Sequence, residues 1–267
     1  MNRLANQFVD IGSIPVQDVR SSFASLDAGA DIESQSLVDF LQAELDRTLE
    51  NDDLIASVFA KIAARYGRAV IFGGWVRDHL ALRSNPRQPR PRDIDIVVAS
   101  EIENLEDFVG SPDFRPTIFG GVNFKAASME VDVWSLGQTF IFERYAITPS
   151  FDRLPNISDF TINSIIFRPA QFWGHASIRD SGCLDALDKG EVTFQYHRIS
   201  YPRIQAARAI IYAAKLNLRL SPEVREFVEQ QIADKPGSND ILDGIQKFCP
   251  DSARPFALSI FEELRNK

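Results

Sequence analysis

The sequence has few of the residues that build a disulfide framework or a zinc site. It contains two cysteines, Cys183 and Cys249, which are far apart and lack a CxxC spacing. We therefore expect neither feature, and a reducing cytoplasm is the simplest location for the protein. The histidines, His79, His175 and His197, are isolated from one another and do not have the spacing of metal ligands.

Long apolar segments and two common catalytic motifs are also missing. No stretch approaches about 18 unbroken apolar residues, so we expect no transmembrane helix and no membrane partner. The beginning of the sequence contains no apolar core of the signal-peptide type. There is neither a Walker A lysine motif nor the nucleophile elbow of a serine hydrolase, which argues against both chemistries.

The net charge of −8 argues against a general nucleic-acid coat protein, because a polyanion would be repelled. Apolar residues make up 45% of the chain and charged residues 25%, as in ordinary globular proteins. Two segments, from Arg83 to Arg92 and from Arg198 to Arg219, nevertheless contain several basic residues and no acid. They are candidate contacts for phosphates, including those of an RNA, although each could equally be a solvated surface.

The spacing of apolar residues predicts helices first, then a mixed α/β region with its sheet near residues 69–142, then mostly helices. A proline-broken segment separates the first helix of the mixed region from the second strand, because proline does not fit a helix interior or a central strand. The predicted strands are 69–72, 93–98, 119–124, 129–134 and 192–194, and the predicted helices are 36–49, 52–65, 75–83, 199–216, 221–232 and one or two within 240–265, with 157–167 as a helix or a helix–strand junction.

Two aspartates lie two positions apart in a predicted strand. Asp93 and Asp95 therefore project from one face, while Ile94 points into the core. Their like charges repel unless a cation neutralises them, and Mg²⁺ prefers such oxygen ligands while keeping positions for substrate phosphates. Asp132 lies in a second strand that alternates in the same way, and it completes a three-carboxylate site if the two strands are neighbours. Glu130 is the rival third ligand.

A strand that ends in Gly73 and Gly74 directly before a helix is a second candidate element. Glycine amides can approach an anion without hindrance from a Cβ atom, and a helix N-terminus favours negative charge. Arg77 falls in the first turn of that helix, where it can add a charge-assisted contact to a phosphate. The glycines alone also fit a tight turn. Together with the acids, they predict a phosphate and metal site at one sheet edge.

The motif FGGWVRDHLALR, followed by RDIDIVV, resembles the head-domain signature of the class II tRNA nucleotidyltransferase (CCA-adding enzyme) and poly(A) polymerase family, in the DNA polymerase beta superfamily. Residues 158–164, SDFTINS, are similar to a second motif of that family, and residues 208–216 are similar to the end of its neck helix. The resemblance implies an α+β fold, with a nucleotidyltransferase head whose small mixed β-sheet is flanked by helices, followed by a mostly helical neck. We expect a partly helical N-terminal extension at 1–50, the head at 51–150 and the neck at 151–267.

By this resemblance, the chain transfers a nucleoside monophosphate from a nucleoside triphosphate to the 3′ end of an RNA such as tRNA, and pyrophosphate leaves. The reaction would need Mg²⁺, with Mn²⁺ as the alternative ion. Asp93, Asp95 and Asp132 would be the catalytic and metal-binding residues, and one of them would help to activate the attacking hydroxyl. The residues implied to bind the nucleotide are Gly73, Gly74, Arg77, Asp159, Asn163 and Arg208.

Several positions depart from the pattern of the family. The positions that read the base in the family are Tyr201, Pro202 and Gln205 here, and its arginine pair before the Asp-Phe-Thr motif is replaced by Ile157 and Ser158. The base preference is therefore open. Two alternatives to an RNA acceptor also stay open, namely a nucleotidyltransferase that modifies a protein or a small molecule and a non-catalytic nucleotide-binding module.

Overall fold

The computed structural model describes residues 11–19, 25–86, 88, 90–102, 114–117, 121–233 and 235–266 of the chain. The strands in these ranges are short, and most of them belong to one central sheet. They are β1 (Val16–Asp18), β2 (Ala30–Asp31), β3 (Ala69–Phe72), β4 (Asp93–Val98), β5 (Phe114–Pro116), β6 (Val122–Lys125), β7 (Glu130–Ser135), β8 (Ile165–Arg168), β9 (Ser177–Asp180), β10 (Glu191–Val192), β11 (Arg198–Ser200) and β12 (Arg219–Leu220).

The helices fall into an N-terminal pair, one helix after the glycine pair and a C-terminal group, with short helices between them. No helix in the described ranges is long and apolar enough to cross a lipid bilayer. The helices are α1 (Gln35–Asn51), α2 (Asp53–Arg65), α3 (Gly74–Ser84), α4 (Phe140–Arg144), α5 (Ala170–Trp173), α6 (Cys183–Lys189), α7 (Pro202–Leu216), α8 (Pro222–Ile232), α9 (Lys235–Phe248) and α10 (Arg254–Arg265).

The central sheet has eight strands in the order β2-β9-β8-β3-β4-β7-β6-β5. Strands β4 and β7 run parallel, whereas the other neighbouring pairs are antiparallel. In the pairing of β3 with β4, Phe72 lies opposite Asp95. The end of β3, the start of α3 and the beginning of β4 therefore meet at one place in the middle of the sheet.

Strand β4 separates two apolar clusters, and its alternation decides which side chains face the site. Ile94, Ile96 and Val98 are buried in the cluster that includes side chains of α1, α2 and α3. Val97 is buried in a second cluster, together with residues of α4 and β8. Asp93 and Asp95 share the face of Val97, because side chains alternate along a strand. A third cluster is formed mainly by the C-terminal helices.

The expected strands at 69–72 and 93–98 are confirmed with the same bounds, and the one at 129–134 is displaced by one residue. The expected strand at 119–124 is partly observed as β6, while residues 118–120 lie outside the described residues. The sheet is wider than the expected 69–142, because β2, β8 and β9 pair with it. Residues 157–167 contain short 3₁₀ turns and the start of β8 instead of a regular helix.

The domain bounds proposed from the sequence remain a prediction. The proposed second boundary falls before β8 and β9, although both strands pair within the central sheet. Helix α7 begins at Pro202 instead of residue 199, because residues 198–200 pair with β1 and proline suits the first helical position. The helix predicted to begin near residue 221 is confirmed, since the Ser221 hydroxyl oxygen accepts a hydrogen bond from the Val224 backbone N–H at 3.2 Å. Residues 240–265 contain the second part of α9 and the whole of α10.

Candidate active site

The candidate acids lie on the two parallel strands at the centre of the sheet. Asp95 is directly opposite Asp132, and Asp93 is opposite Glu130. Asp93, Asp95 and Asp132 are half-buried, whereas Glu130 is exposed. Ile94, between the first two aspartates, is fully buried. The expected pairing of the two acidic strands is therefore observed, and the favoured third acid, Asp132, is the one beside Asp95.

The glycine pair brings the backbone up to the two aspartates of β4. Gly73 has a φ of +60°, a conformation that glycine adopts without the steric cost of a Cβ atom. Its backbone N–H donates a hydrogen bond to the Ile165 carbonyl oxygen at 2.9 Å, which fixes the end of β3. A Cβ atom placed on Gly74 would lie 3.8 Å from Asp93 Oδ1 and 3.9 Å from Asp95 Oδ2. The first residue of α3 therefore faces both carboxylates, as the sequence predicted.

The electrostatics of the acids show repulsion between like charges. Burial, followed by the charges of Asp93 and Asp132, raises the pKa of Asp95 well above its usual value. The pKa of Asp132 is raised mainly by burial, while its hydrogen bond from Asn123 Nδ2, at 3.2 Å, acts in the opposite direction. A divalent cation would remove this repulsion, because an adjacent positive charge favours the ionised carboxylates.

The carboxylates of the site provide only part of the coordination shell of such a cation. Within the described ranges, no group of three or more His, Cys, Asp or Glu side chains is placed to hold a metal ion by itself. Mg²⁺ in nucleotide-dependent enzymes is commonly held by one or two carboxylates together with substrate phosphates. Asp93 and Asp95 fit this donor set, since both approach Gly74 from one side. The role of Asp132 as a metal ligand stays a prediction.

Arg77 is held beneath the glycine turn by several partners. Its side chain is 3% exposed, and Nε donates a hydrogen bond to Asp78 Oδ1 at 2.8 Å. Nη1 donates to Asn163 Oδ1, and the guanidinium carbon lies 5.0 Å from the centre of the Tyr212 ring. A Cβ atom on Gly74 would be 3.8 Å from Arg77 Nη2. Arg77 is therefore a buried cation already engaged with other groups, and its contact to a phosphate stays a prediction.

The other predicted nucleotide residues meet between the sheet and α7. Arg208 Nη1 lies 3.9 Å from Asp159 Oδ2, and the two side chains are 42% and 24% exposed. Burial raises the pKa of Asp159 to about 6, and Arg208 acts against this shift. The charge of Arg208 also acts on Asp95, where it lowers the pKa of that carboxyl against the larger effect of burial. The structure thus brings Asp159, Asn163 and Arg208 to the side of the acids, as expected.

Three residues of this region were not singled out from the sequence as functional. Asp78 is 1% exposed and accepts a hydrogen bond from Lys215 Nζ at 2.6 Å, so that an ion pair joins α3 to α7. Tyr212 lies between Arg77 and Arg208. Helical periodicity could have identified Tyr212 and Lys215, because they lie four and seven residues after Arg208 and share its face of α7.

His79, the histidine nearest to the glycine turn, is a buried member of the core. Its ring packs against Trp75 with the ring centroids 4.3 Å apart. Burial, the largest influence, lowers its pKa to about 4, so the ring is neutral near pH 7. It lies on the flank of α3, as expected, and does not contribute a charge to the site.

The basic segment from residue 198 to residue 219 is less positive than its sequence indicates. Each of its basic side chains lies within 4.0 Å of an acidic oxygen, which offsets its charge. The pairs are Arg198–Asp18, Arg203–Asp240, Arg208–Asp159, Lys215–Asp78 and Arg219–Glu191. In the other segment, Arg83 donates a hydrogen bond to the Ser36 carbonyl oxygen at 2.7 Å, and residues 87 and 89 lie outside the described residues.

The positions that depart from the base-reading pattern line or adjoin a cavity beside Arg208. The cavity has a volume of about 690 Å³, and Tyr201 and Pro202 are among its lining residues. Gln205 is 5% exposed, and its Oε1 atom has no hydrogen-bond partner among the described residues. The structure therefore leaves an open cavity beside Arg208 at two of these positions, Tyr201 and Pro202.

Comparisons of this chain with known proteins give matches only at the level of structure. No protein-family model matches it, and no curated protein matches its sequence significantly. A CCA-adding enzyme solved with ATP matches with a TM-score of 0.58 and 15% identity, over 94% of this chain and 55% of that one. A tRNA nucleotidyltransferase solved with a primer tRNA and an incoming ATP analogue matches with a TM-score of 0.56 and 20% identity, over 78% of this chain and 60% of that one. A tRNA-processing enzyme in an apo form matches with a TM-score of 0.56 and 22% identity, over 81% of this chain and 57% of that one.

This chain spans between 55% and 60% of the length of these solved proteins. At such identities the matches establish the fold, and they agree with the observed mixed sheet followed by C-terminal helices. The chain therefore has the α+β fold of CCA-adding enzymes and tRNA nucleotidyltransferases over the head and neck part of their length.

Proposed function

We propose that this chain is a metal-dependent nucleotidyltransferase that transfers a nucleoside monophosphate from a nucleoside triphosphate to the 3′ hydroxyl of an RNA. One observation carries the proposal: a Cβ atom added to Gly74, the first residue of α3, would lie within 4 Å of carboxylate oxygens of both Asp93 and Asp95. A triphosphate at the helix N-terminus would be beside the acids that attract its counter-ion.

Each residue of the site has a defined part in this reaction. The Gly74 amide at the N-terminus of α3 binds phosphate oxygens, Gly73 shapes the turn that presents it, and Arg208 adds positive charge from α7. Asp93 and Asp95, with Asp132, hold Mg²⁺ or Mn²⁺, which when bound neutralises charge on the phosphates. The acceptor oxygen forms a bond to the α-phosphorus, the bond to the bridging oxygen breaks, and pyrophosphate leaves. One of the three carboxylates accepts the proton of the attacking hydroxyl.

An RNA end is proposed as the acceptor because of the structural matches. One matching protein was solved with a primer tRNA and an ATP analogue, and another with ATP. A second candidate function is nucleotide transfer to a protein or a small molecule. It is favoured by the replacement of the base-reading positions by Tyr201, Pro202 and Gln205, and by the ion pairs that offset the basic segment on and around α7.

The test is transfer of label from each α-³²P-labelled triphosphate, in the presence of total cellular RNA and cell extract, with Mg²⁺ or Mn²⁺. We expect label at RNA 3′ ends, loss of labelling in Asp95→Asn and in Asp132→Asn, and retained labelling in the control Glu130→Gln. Label in a protein or a small molecule would support the second candidate. If the wild-type chain labels nothing with either ion, it is not a transferase and a non-catalytic nucleotide-binding role remains.

A further inference from the structure

The side chain of Tyr212 connects the two arginines of the candidate site. Its hydroxyl oxygen accepts hydrogen bonds from Arg208 Nη2 at 2.6 Å and from Arg208 Nε at 3.2 Å. The guanidinium carbons of Arg77 and Arg208 lie 5.0 Å and 5.5 Å from the centre of its ring, within cation–π range. Tyr212 therefore contacts both cations of the site.

The ring of Tyr212 is itself fixed in place. Phe160 packs edge-on against it, with the ring centroids 6.0 Å apart, and Asn163 approaches its hydroxyl. One turn along α7, Lys215 is anchored to Asp78 of α3. Tyr212 is thus a rigid group on an anchored helix, and its hydroxyl can define where a long and flexible arginine side chain points.

The position of Arg208 matters because its remaining acidic contact is loose. Arg208 Nη1 is 3.9 Å from Asp159 Oδ2, which is too long for a hydrogen bond. Its side chain is 42% exposed, so solvent competes for its charge. Without the Tyr212 hydroxyl, the guanidinium would lose its well-defined hydrogen bonds and sample several rotamers, which makes phosphate binding entropically more costly.

We propose that Tyr212 is a positioning residue whose hydroxyl orients Arg208 toward the phosphates of the bound nucleoside triphosphate. This inference rests on the proposed function, since it assumes a triphosphate beside Asp95. The ring stacks on Arg77 and supports the head side of the site, while the hydroxyl accepts two hydrogen bonds from Arg208 and is also approached by Asn163. Removing only the hydroxyl should therefore weaken contacts to phosphate and leave contacts to the nucleoside unchanged.

The experiment compares the full-length wild type with Tyr212→Phe, Arg208→Met and the double variant, using equilibrium dialysis against ATP and against adenosine. Hydrogen bonds to a charged group are strong enough that Tyr212→Phe should raise the Kd for ATP about tenfold. The Kd for adenosine should not change, and Tyr212→Phe should have no further effect when Arg208 is already methionine. Tyr145→Phe is the matched control, because its ring also stacks on an arginine, with the carbon of Arg198 4.1 Å from its centre.

The proposal is overturned if Tyr212→Phe binds ATP as tightly as wild type, or if ATP and adenosine are weakened equally. It is also overturned if Tyr212→Phe raises the Kd for ATP by the same factor in wild type and in Arg208→Met, because the hydroxyl would then act on another group. If the Kd values change as predicted but the wild type transfers no label from any triphosphate, the positioning role of Tyr212 is supported and the proposed transferase activity is refuted. A wild type that does not bind ATP would refute both.

Discussion

The buried ion pair between α3 and α7 should contribute more to the free energy of unfolding than an exposed ion pair of the same length. Asp78 lies between two cations, Arg77 and Lys215, and the three side chains are 1%, 3% and 7% exposed. Burial alone would raise the pKa of Asp78, but the charges of Arg77 and Lys215 lower it below its usual value. Asp78 is therefore ionised near neutral pH, and its Oδ2 atom pairs with Lys215 Nζ at 2.6 Å.

Replacing Asp78 by a neutral residue should cost more stability than replacing Lys215 by one. Asp78→Asn leaves two buried cations without their carboxylate, and breaking a buried pair in this way costs about 3–5 kcal/mol. Lys215→Met leaves Asp78 with its contacts to Arg77 at 2.7 and 2.8 Å, so we expect a cost of about 1–2 kcal/mol for one lost charged hydrogen bond. The control Lys189→Met removes an equally short pair, 2.6 Å, whose side chains are 61% and 62% exposed. Such exposed pairs contribute less than about 1 kcal/mol.

The assay is urea unfolding followed by circular dichroism and by tryptophan fluorescence, with the free energy of unfolding extrapolated to water. The expected order of losses is Asp78→Asn, then Lys215→Met, then Lys189→Met. Equal losses for Asp78→Asn and Lys215→Met would refute the reasoning, because they would show that Arg77 does not compensate Asp78. A loss for Lys189→Met as large as that for Lys215→Met would refute the role of burial.

Two further predictions follow from the site. Burial raises the pKa of Asp159 to about 6 from its usual 3.8, so its contribution to stability is present below pH 3.8 and is lost as the pH rises through 6. The free energy of unfolding of Asp159→Asn, measured with urea, should therefore equal that of wild type at pH 3.5 and exceed it by about 2 kcal/mol at pH 7.5. A difference between the two proteins that does not grow with pH would contradict the raised pKa. Gly73→Ala should cost about 1–3 kcal/mol in the same assay, because φ is +60° and the new Cβ atom would lie 3.4 Å from the Asn163 carbonyl oxygen. Gly67→Ala is the control, because φ is +70° there and nothing lies within 4 Å of the added Cβ atom. If Gly67→Ala loses as much stability as Gly73→Ala, the contact with Asn163 contributes nothing to the cost.

The parts of the fold that the sequence predicted well are those in which local pattern and burial agree. The alternation of β4 identified the face of Asp93 and Asp95, and its neighbour β7 was recognised by the same alternation around Asp132. The glycine pair marked the turn from β3 into α3, because only a few residue types tolerate the required backbone. These three features determined where the candidate site would be.

The parts that the sequence did not predict depend on contacts between distant segments. Strands β8 and β9 join the central sheet through pairing with β3 and with each other, and the short strand β2 adds to its edge. Nothing in their local composition specifies that register. The Asp78–Lys215 pair joins positions 137 residues apart, and only the packing of α3 against α7 brings them together.

In the proposed function, Asp93 and Asp95, with Asp132, bind a divalent cation together with the phosphates of a nucleotide. Electron paramagnetic resonance of Mn²⁺, titrated into the protein with a non-hydrolysable ATP analogue, measures this binding directly. We expect tight binding in wild type, a Kd raised at least about tenfold in Asp93→Asn and in Asp95→Asn, and no change in Glu130→Gln. Binding of Mn²⁺ to Asp95→Asn with the affinity of wild type would contradict the claim.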